Sequence, residues 1–323
     1  MSETGNIEEL AKIISTDIFN WLKWNTCSIK DQDWDCVNEK HNKKTHPADV
    51  VFYYDEPYSG TRLYLNTDLK SYKKISISAA KMKNALVSLS KSVECANVSS
   101  DWQDKFLVDD STSNVKGLLF VYNNDNLFDK DFPTYLSDVS LKQVKLTESN
   151  QIIIFGPDKI NHLLNIVNDI KNFIAQGVIP SKDDYTFFYR DLFLHKAHGD
   201  EWNQPATIEA LTSPWVIVKY KVPENRNDGY IVYYNREGKT VDEFVYLLDS
   251  LSHLQLLLNE APIHIRLMNP SNNAKNNYLK AKKSYLNTWG YDAAREKHLD
   301  RIEVHSINIV QTTYNPMEIG MER

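Results

Sequence analysis

Asp49, Asp68 and Lys70 are the residues whose types and spacing carry chemistry in this 323-residue sequence. Asp49 stands in the run His46-Pro47-Ala48-Asp49-Val50-Val51-Phe52-Tyr53-Tyr54-Asp55, and Asp68 and Lys70 stand in Arg62-Leu63-Tyr64-Leu65-Asn66-Thr67-Asp68-Leu69-Lys70-Ser71-Tyr72. Both runs are rich in β-prone Val, Phe, Tyr and Leu and flank Pro57-Tyr58-Ser59-Gly60, so they read as a β-hairpin. With the turn centred between Tyr58 and Ser59, paired positions sum to 117, and Asp49 faces Asp68. Side-chain alternation puts Val51 and Tyr53 with Asp49, and Asn66 and Lys70 with Asp68; Val50, Phe52, Leu63, Leu65 and Leu69 are left to form a core on the opposite face. Two carboxylates facing each other destabilise a sheet, and a divalent cation between them reverses the sign. Lys70 follows Asp68 at about 7 Å along the strand, at ~3.4 Å per residue, which sets an ammonium beside such an ion and its water.

These residues resemble the PD-(D/E)XK nuclease superfamily, whose signature is an acid at the start of one strand, a second acid on the next strand and a Lys two residues on. The match covers Asp49, Asp68 and Lys70. It departs from the pattern where Ala48 separates Pro47 from Asp49. The resemblance implies that Asp49, Asp68 and the Leu69 carbonyl hold Mg²⁺, with Mn²⁺ as a substitute, and that Lys70 orients and activates the attacking water. It also implies a further acid from the first helix. At 100° per residue Glu8 flanks the apolar stripe of that helix while Glu9 points away, so Glu8 is the expected ligand.

The acid-x-Lys triplet occurs three times, at Asp68, Asp169 and Glu237. Asp169 lies in a helical pattern, where residues two apart do not share a face, and Glu237-Gly238-Lys239 reads as a turn. Only the first triplet has a strand around it.

The elements that must position these residues follow in order. Ile7, Leu10, Ala11, Ile14, Ile18 and Leu22 predict a helix over about 7–24, with Asn6 as N-cap and Glu9 closing a capping box. Trp34 to Val37 predicts a short strand, and the polar connection after it carries His41 and leads to His46, both expected as loop residues. A second helix follows the hairpin, with Ala79, Met82, Leu86, Leu89 and Val93 inward. From Leu69 to Val93 there are six lysines and no acid, in a chain of net charge -6. Lys73, Lys74, Lys81 and Lys83 in that run are the expected phosphate contacts. Lys116 to Tyr122 predicts an interior strand. The order completes an αβββαβ core over about residues 1–125, as the resemblance implies.

A polar, aromatic loop over Asn123 to Leu136 then leads to a domain junction, giving a nuclease-like domain over 1–140 and a second α/β domain over 141–323 for sensing, docking or nucleic-acid contact. The second half is expected to begin with a strand at Ile152 to Phe155. A helix N-capped by Asp158 follows, then strands near Tyr185–Leu194, Trp215–Tyr220 and Tyr230–Tyr234, and a helix over about Val241–Asn259. Ile263, Ile265 and Leu267 alternate with His264 and Arg266, predicting a strand whose polar face meets a partner or nucleic acid. A Lys-rich helix over Asn272–Thr288 and a strand near Ile302–Val310 close the chain. His195, His198, Asp200 and Glu201 lack the HExxH arrangement and read as surface loop.

With 37 basic and 43 acidic residues the chain is no general polyanion binder. Cys27, Cys36 and Cys95 form no CxxC pair and leave an odd count, so neither a disulfide framework nor a zinc cluster is indicated. No signal peptide, membrane span, Walker A, G-x-S-x-G or dinucleotide fingerprint is present, and a cytoplasmic protein is expected. The expected activity is Mg²⁺-dependent hydrolysis of DNA, with RNA as the other candidate substrate, under the control of a protein partner or homo-oligomer. The superfamily resemblance suggests a bacterial restriction or anti-phage setting. The alternative is a catalytically inactive nuclease-fold protein that binds nucleic acid or serves as an assembly subunit.

Overall fold

A computed structural model of the chain describes residues 3–109, 111–137, 151–190, 201–223, 228–257, 261–288 and 293–309, with the backbone alone at 3–8, 10, 294 and 295. The chain divides into two units between Leu164 and Asn165.

The first unit opens on α1 (Glu3–Trp21). This helix starts ahead of the expected cap, so Asn6 lies inside it. Strand β1 (Asn25–Asp35) is far longer than the Trp34–Val37 stretch expected. Its register breaks between Thr26 and Lys30, Asp31 takes φ 52°, and few of its side chains are buried, so no clean alternation marks it. Strands β2 (Thr45–Asp55) and β3 (Arg62–Tyr72) form the expected hairpin, with the Glu56 N–H donating to Thr61 O across the turn. Val50 pairs with Thr67 and Val51 with Asn66, which is the register that sums to 117. Then come α2 (Ala79–Ala96), α3 (Ser100–Phe106), β4 (Ser113–Asn123), α4 (Phe132–Ser137) and β5 (Ile152–Phe155).

The sheet order is β1-β2-β3-β4-β5, antiparallel through β3 and parallel from β3 to β5. Strand β5 therefore completes the first sheet rather than beginning the second domain, and the boundary lies beyond residue 140. On one face α1 buries Ile14, Ile18 and Phe19; the Phe19 ring meets Phe52 at 4.6 Å and Phe120 at 5.9 Å. On the other, Met82, Leu86, Leu89 and Val93 of α2 pack over Leu119 and Val121. Helix α2 starts at the Ser78 cap, whose Oγ accepts from the Lys81 N–H. His41 and His46 are not loop residues in solvent: they are 7% and 0% exposed.

Helix α5 (Pro157–Ala175) runs through the division into the second unit, with Pro157 as its first residue and Asp158 within the helix rather than capping it. There follow β6 (Tyr185–Phe187), α6 (Ile208–Thr212), β7 (Trp215–Tyr220), β8 (Gly229–Tyr234), α7 (Val241–His253), β9 (Ile263–Leu267), α8 (Ala274–Thr288), α9 (Ala293–Asp300) and β10 (Ile302–Ser306). The polar face of β9 is engaged within this unit. Arg266 donates to both Asp169 oxygens, at 3.0 and 2.6 Å, and His264 meets Tyr220 and Glu303, each at 3.1 Å. His195, His198 and Asp200 lie outside the described residues; Glu201 pairs with Lys219 at 2.6 Å.

The two sheets share one pattern. In the second, β6, β7 and β8 are antiparallel in succession and β8, β9 and β10 are parallel, again with a helix ahead of the first strand and a helix between the third and fourth.

Candidate active site

The hairpin register carries the site. Continuing the pairs Val51 with Asn66 and Val50 with Thr67 by one residue sets Asp49 opposite Asp68. Both side chains are partly buried and line a cleft of ≈ 350 Å³ together with Lys70 and, from α2, Lys81, Asn84 and Ser88. The Leu69 N–H donates to Asp49 Oδ2 at 2.7 Å, which fixes that carboxylate against β3. The Lys70 ammonium forms an ion pair with Asp68, whose side chain is 19% exposed. Behind this pair Asn66 is fully buried, donating to Ser92 Oγ on α2 at 2.9 Å and accepting from Trp102 Nε1 on α3 at 3.3 Å. Those two bonds hold both helices to the strand that bears Asp68 and Lys70.

Burial pushes the Asp49 carboxyl above the usual carboxylate range, and the charge of Asp68 pushes it further; the Leu69 N–H and Lys70 pull the other way and do not cancel the rise. Burial also works against the Lys70 ammonium. The charge and hydrogen bond of Asp68, with the charge of Asp49, outweigh that cost and leave its pKa raised. Lys70 is thus held as a cation, a donor of hydrogen bonds rather than a base. Two hard carboxylates converging on one cleft are a donor set suited to Mg²⁺, which takes oxygen ligands and keeps several waters.

Of the four lysines expected at phosphates, Lys81 lines the cleft, its Nζ 4.9 Å from the Tyr72 ring centre. Lys83 lies on the same helix, partly buried and outside the cleft lining, while Lys73 and Lys74 border a separate concavity with Leu127 and Phe128. Lys74 is paired with Asp129 at 2.8 Å. Glu8 belongs to α1, and its side chain lies outside the described residues. The sequence reading missed Asp31 and Lys12, which pair at 2.6 Å; Asp31 adds to the rise at Asp49, and Asp49 adds to a rise at Lys12. Asp31, in left-handed backbone, follows the β1 register break, between Lys30 opposite Val50 and Gln32 opposite Ala48, so it lies on the stretch of β1 that flanks Asp49, and a register break leaves no mark in apolar spacing.

An acid pair on adjacent strands, a Lys two residues after the second acid, and a mixed sheet between helices define a PD-(D/E)XK nuclease domain. Residues 1–159 match the family model of the GAPS4 protein PD-(D/E)XK nuclease domain, a match that ends just past β5, and this N-terminal half of the chain belongs to the PD-(D/E)XK nuclease superfamily. No curated protein matches the chain. The other acid-x-Lys triplets are spent elsewhere: Asp169 is locked to Arg266, and Glu237 pairs with Lys239 at 2.6 Å in an exposed turn at Gly238, φ 65°. No described helix is long and apolar enough to cross a membrane.

Proposed function

We propose that the chain hydrolyses phosphodiester bonds of DNA in a Mg²⁺-dependent reaction, with Mn²⁺ as a substitute. The observation that carries this reading is the convergence of Asp49, Asp68 and Lys70 on one cleft. Asp49, Asp68 and the Leu69 carbonyl would hold the metal ion, joined by Glu8 from α1. When bound, the ion supplies Lewis acidity toward the scissile phosphate and a lowered pKa for its water. Lys70, held protonated, donates to the attacking water and to the phosphate oxygens as negative charge builds on them. Lys81 at the same cleft, with Lys73, Lys74 and Lys83 on the flanking surface, holds the nucleic-acid backbone by charge. The net reaction adds one water across a P–O bond and leaves one phosphate monoester end and one hydroxyl end.

The biological setting belongs to the same proposal: a cytoplasmic restriction or anti-phage nuclease, held in check by a protein partner or by its own oligomer, with the second unit as its docking or sensing module. The test is incubation of the full chain with plasmid, linear and single-stranded DNA, and with RNA, in Mg²⁺ and in Mn²⁺. Wild type is expected to cut DNA, and Asp68→Asn is expected to retain its fold by circular dichroism and cut nothing. Binding without cutting in either metal, with Asp68→Asn binding equally well, would replace this reading by that of an inactive nucleic-acid-binding fold.

A further inference from the structure

A second cluster of ligand side chains lies outside the acid-lined cleft. Cys36 follows β1, His41 sits in the short helical turn after it, His46 is the second residue of β2, and Cys95 lies in the last turn of α2. Cys36 Sγ and Cys95 Sγ are 3.7 Å apart, and His41 Nδ1 is 3.5 Å from the first and 3.3 Å from the second. Around a tetrahedral zinc with Zn–S of about 2.3 Å and Zn–N of about 2.0 Å, two sulfurs stand about 3.8 Å apart and a sulfur and a nitrogen about 3.5 Å. The separations already have the dimensions of a coordination sphere.

The histidines supply two further observations. His46 is fully buried, and neither of its ring nitrogens has a hydrogen-bond partner, an arrangement that folded proteins avoid. One ligand atom from each of the four residues falls within 4.8 Å of all the others, a span that small side-chain rotations close. His41 is oriented from behind: its Nε2 is 3.3 Å from Glu94 Oε2, and Glu94 Oε1 accepts from Asn38 Nδ2 at 2.9 Å. A carboxylate on the far nitrogen, leaving the near one facing two sulfurs, is the outer-shell arrangement of zinc-ligating histidines.

We propose that Cys36, His41, His46 and Cys95 bind one Zn²⁺ as a closed structural site. Two thiols lose their protons to solvent, two neutral imidazoles donate lone pairs, and the ion's charge is balanced by the two thiolates with no change of oxidation state. Four protein ligands leave no open position, so the site performs no chemistry of its own. Its position explains what it would do for the fold. A zinc here ties the end of β1 and the start of β2, three residues before Asp49, to the C-terminal end of the helix that lines the cleft. This inference does not rest on the hydrolytic reading.

The test is metal analysis of the full-length protein purified under reducing conditions without chelator, with a Co²⁺-substituted sample beside it. One Zn²⁺ per chain is expected. Co²⁺ is expected to give the intense visible bands of a tetrahedral site and thiolate-to-metal charge transfer in the near ultraviolet. Asp68→Asn should keep the zinc, which separates this ion from any metal in the acid-lined cleft; Cys36→Ser with Cys95→Ser should lose it and melt at lower temperature. Wild-type protein that neither carries zinc nor takes up Co²⁺ overturns the proposal, as does zinc retained by the double Cys variant, zinc lost with Asp68→Asn, or a Cys36–Cys95 disulfide in the reduced preparation. If the Cys variants do not fold, the wild-type Co²⁺ spectrum decides alone, because thiolate charge transfer requires sulfur on the metal.

Discussion

Asp49 is a carboxylate kept where it does not favour its own charge. Its pKa is raised by burial and by Asp68, so the folded state holds the Asp49 proton more tightly than the unfolded chain does. The sign follows: without Mg²⁺, ionising Asp49 weakens the fold, and stability falls as pH rises from the ordinary carboxylate range through the raised value. Asp49→Asn removes that charge and still accepts from the Leu69 N–H through its amide oxygen. In Mg²⁺-free buffer at neutral pH the variant is expected to melt higher than wild type, by about 2–4 °C for each kcal/mol gained in a domain of this size. Melting curves across pH check it: the gap between variant and wild type should close toward low pH, and a gap that widens there would refute the argument. Adding Mg²⁺ should raise the melting temperature of wild type and leave the variant almost unmoved, since only the former gains a ligand. Lys70 acts in the opposite sense. In the proposed reaction this fixed cation would stabilise the charge that develops, so Lys70→Ala is expected to lower kcat by about 10²–10³ with a smaller change in KM. Steady-state kinetics on an oligonucleotide substrate read the split.

At the scale of elements, the site is a consequence of strand register plus a roof. The register sets Asp49 against Asp68, and α2 closes the cleft from above by seating Leu89 and Val93 on β4. That seat depends on Gly117: a Cβ there would stand 2.9 Å from Val93 Cγ2 and 3.1 Å from Leu89 Cγ. Gly117→Ala therefore forces α2 off the sheet or distorts two buried side chains, a change of the kind that costs about 1–3 kcal/mol. The expected result is a lower denaturant midpoint with reduced activity, and a variant of wild-type stability would show that the helix has room to give. The hairpin, its register and its acid pair were legible in the sequence because a Pro and Gly turn centres two strands whose apolar residues alternate. The other features were hidden for separate reasons. Strand β1 is polar and its register breaks between Thr26 and Lys30, so no apolar alternation marks the strand that carries Asp31. Strand β5 is only four residues long, and its membership in the first sheet is decided by pairing with β4 rather than by order along the chain. Cys36 and Cys95 lie 59 residues apart, so no local motif could announce that their sulfurs meet.

Across the described residues, one strand pattern occurs twice and the cleft of Asp49, Asp68 and Lys70 once. In the first unit the face of β3 beneath α2 bears Asn66, Asp68 and Lys70, opposite Gly117, Leu119 and Val121 of β4. In the second, the residues of β8 that pair with Ile263, Ile265 and Leu267 are Tyr230, Val232 and Tyr234, and they pack with Phe244, Leu247 and Leu251 of α7. Their partners Ile217 and Trp215 on β7 join the same cluster. Where one unit keeps an open acidic cleft, the other fills the corresponding face with side chains, and its Glu237 and Lys239 form an exposed pair beyond the strand end. Among the described residues, then, the proposed function gives each chain one hydrolytic centre. A single centre cuts one strand per encounter, so a double-strand break requires a second encounter or a second copy of the chain. With supercoiled plasmid and protein well below the plasmid concentration, the nicked circle is expected to accumulate before linear product appears. Raising the protein concentration should shorten that lag steeply if two copies act together and only in proportion if they act alone. Asp68→Asn should abolish nicking and linearisation alike, while Glu237→Gln leaves both unchanged. Residual nicking by Asp68→Asn would place a second centre in the chain.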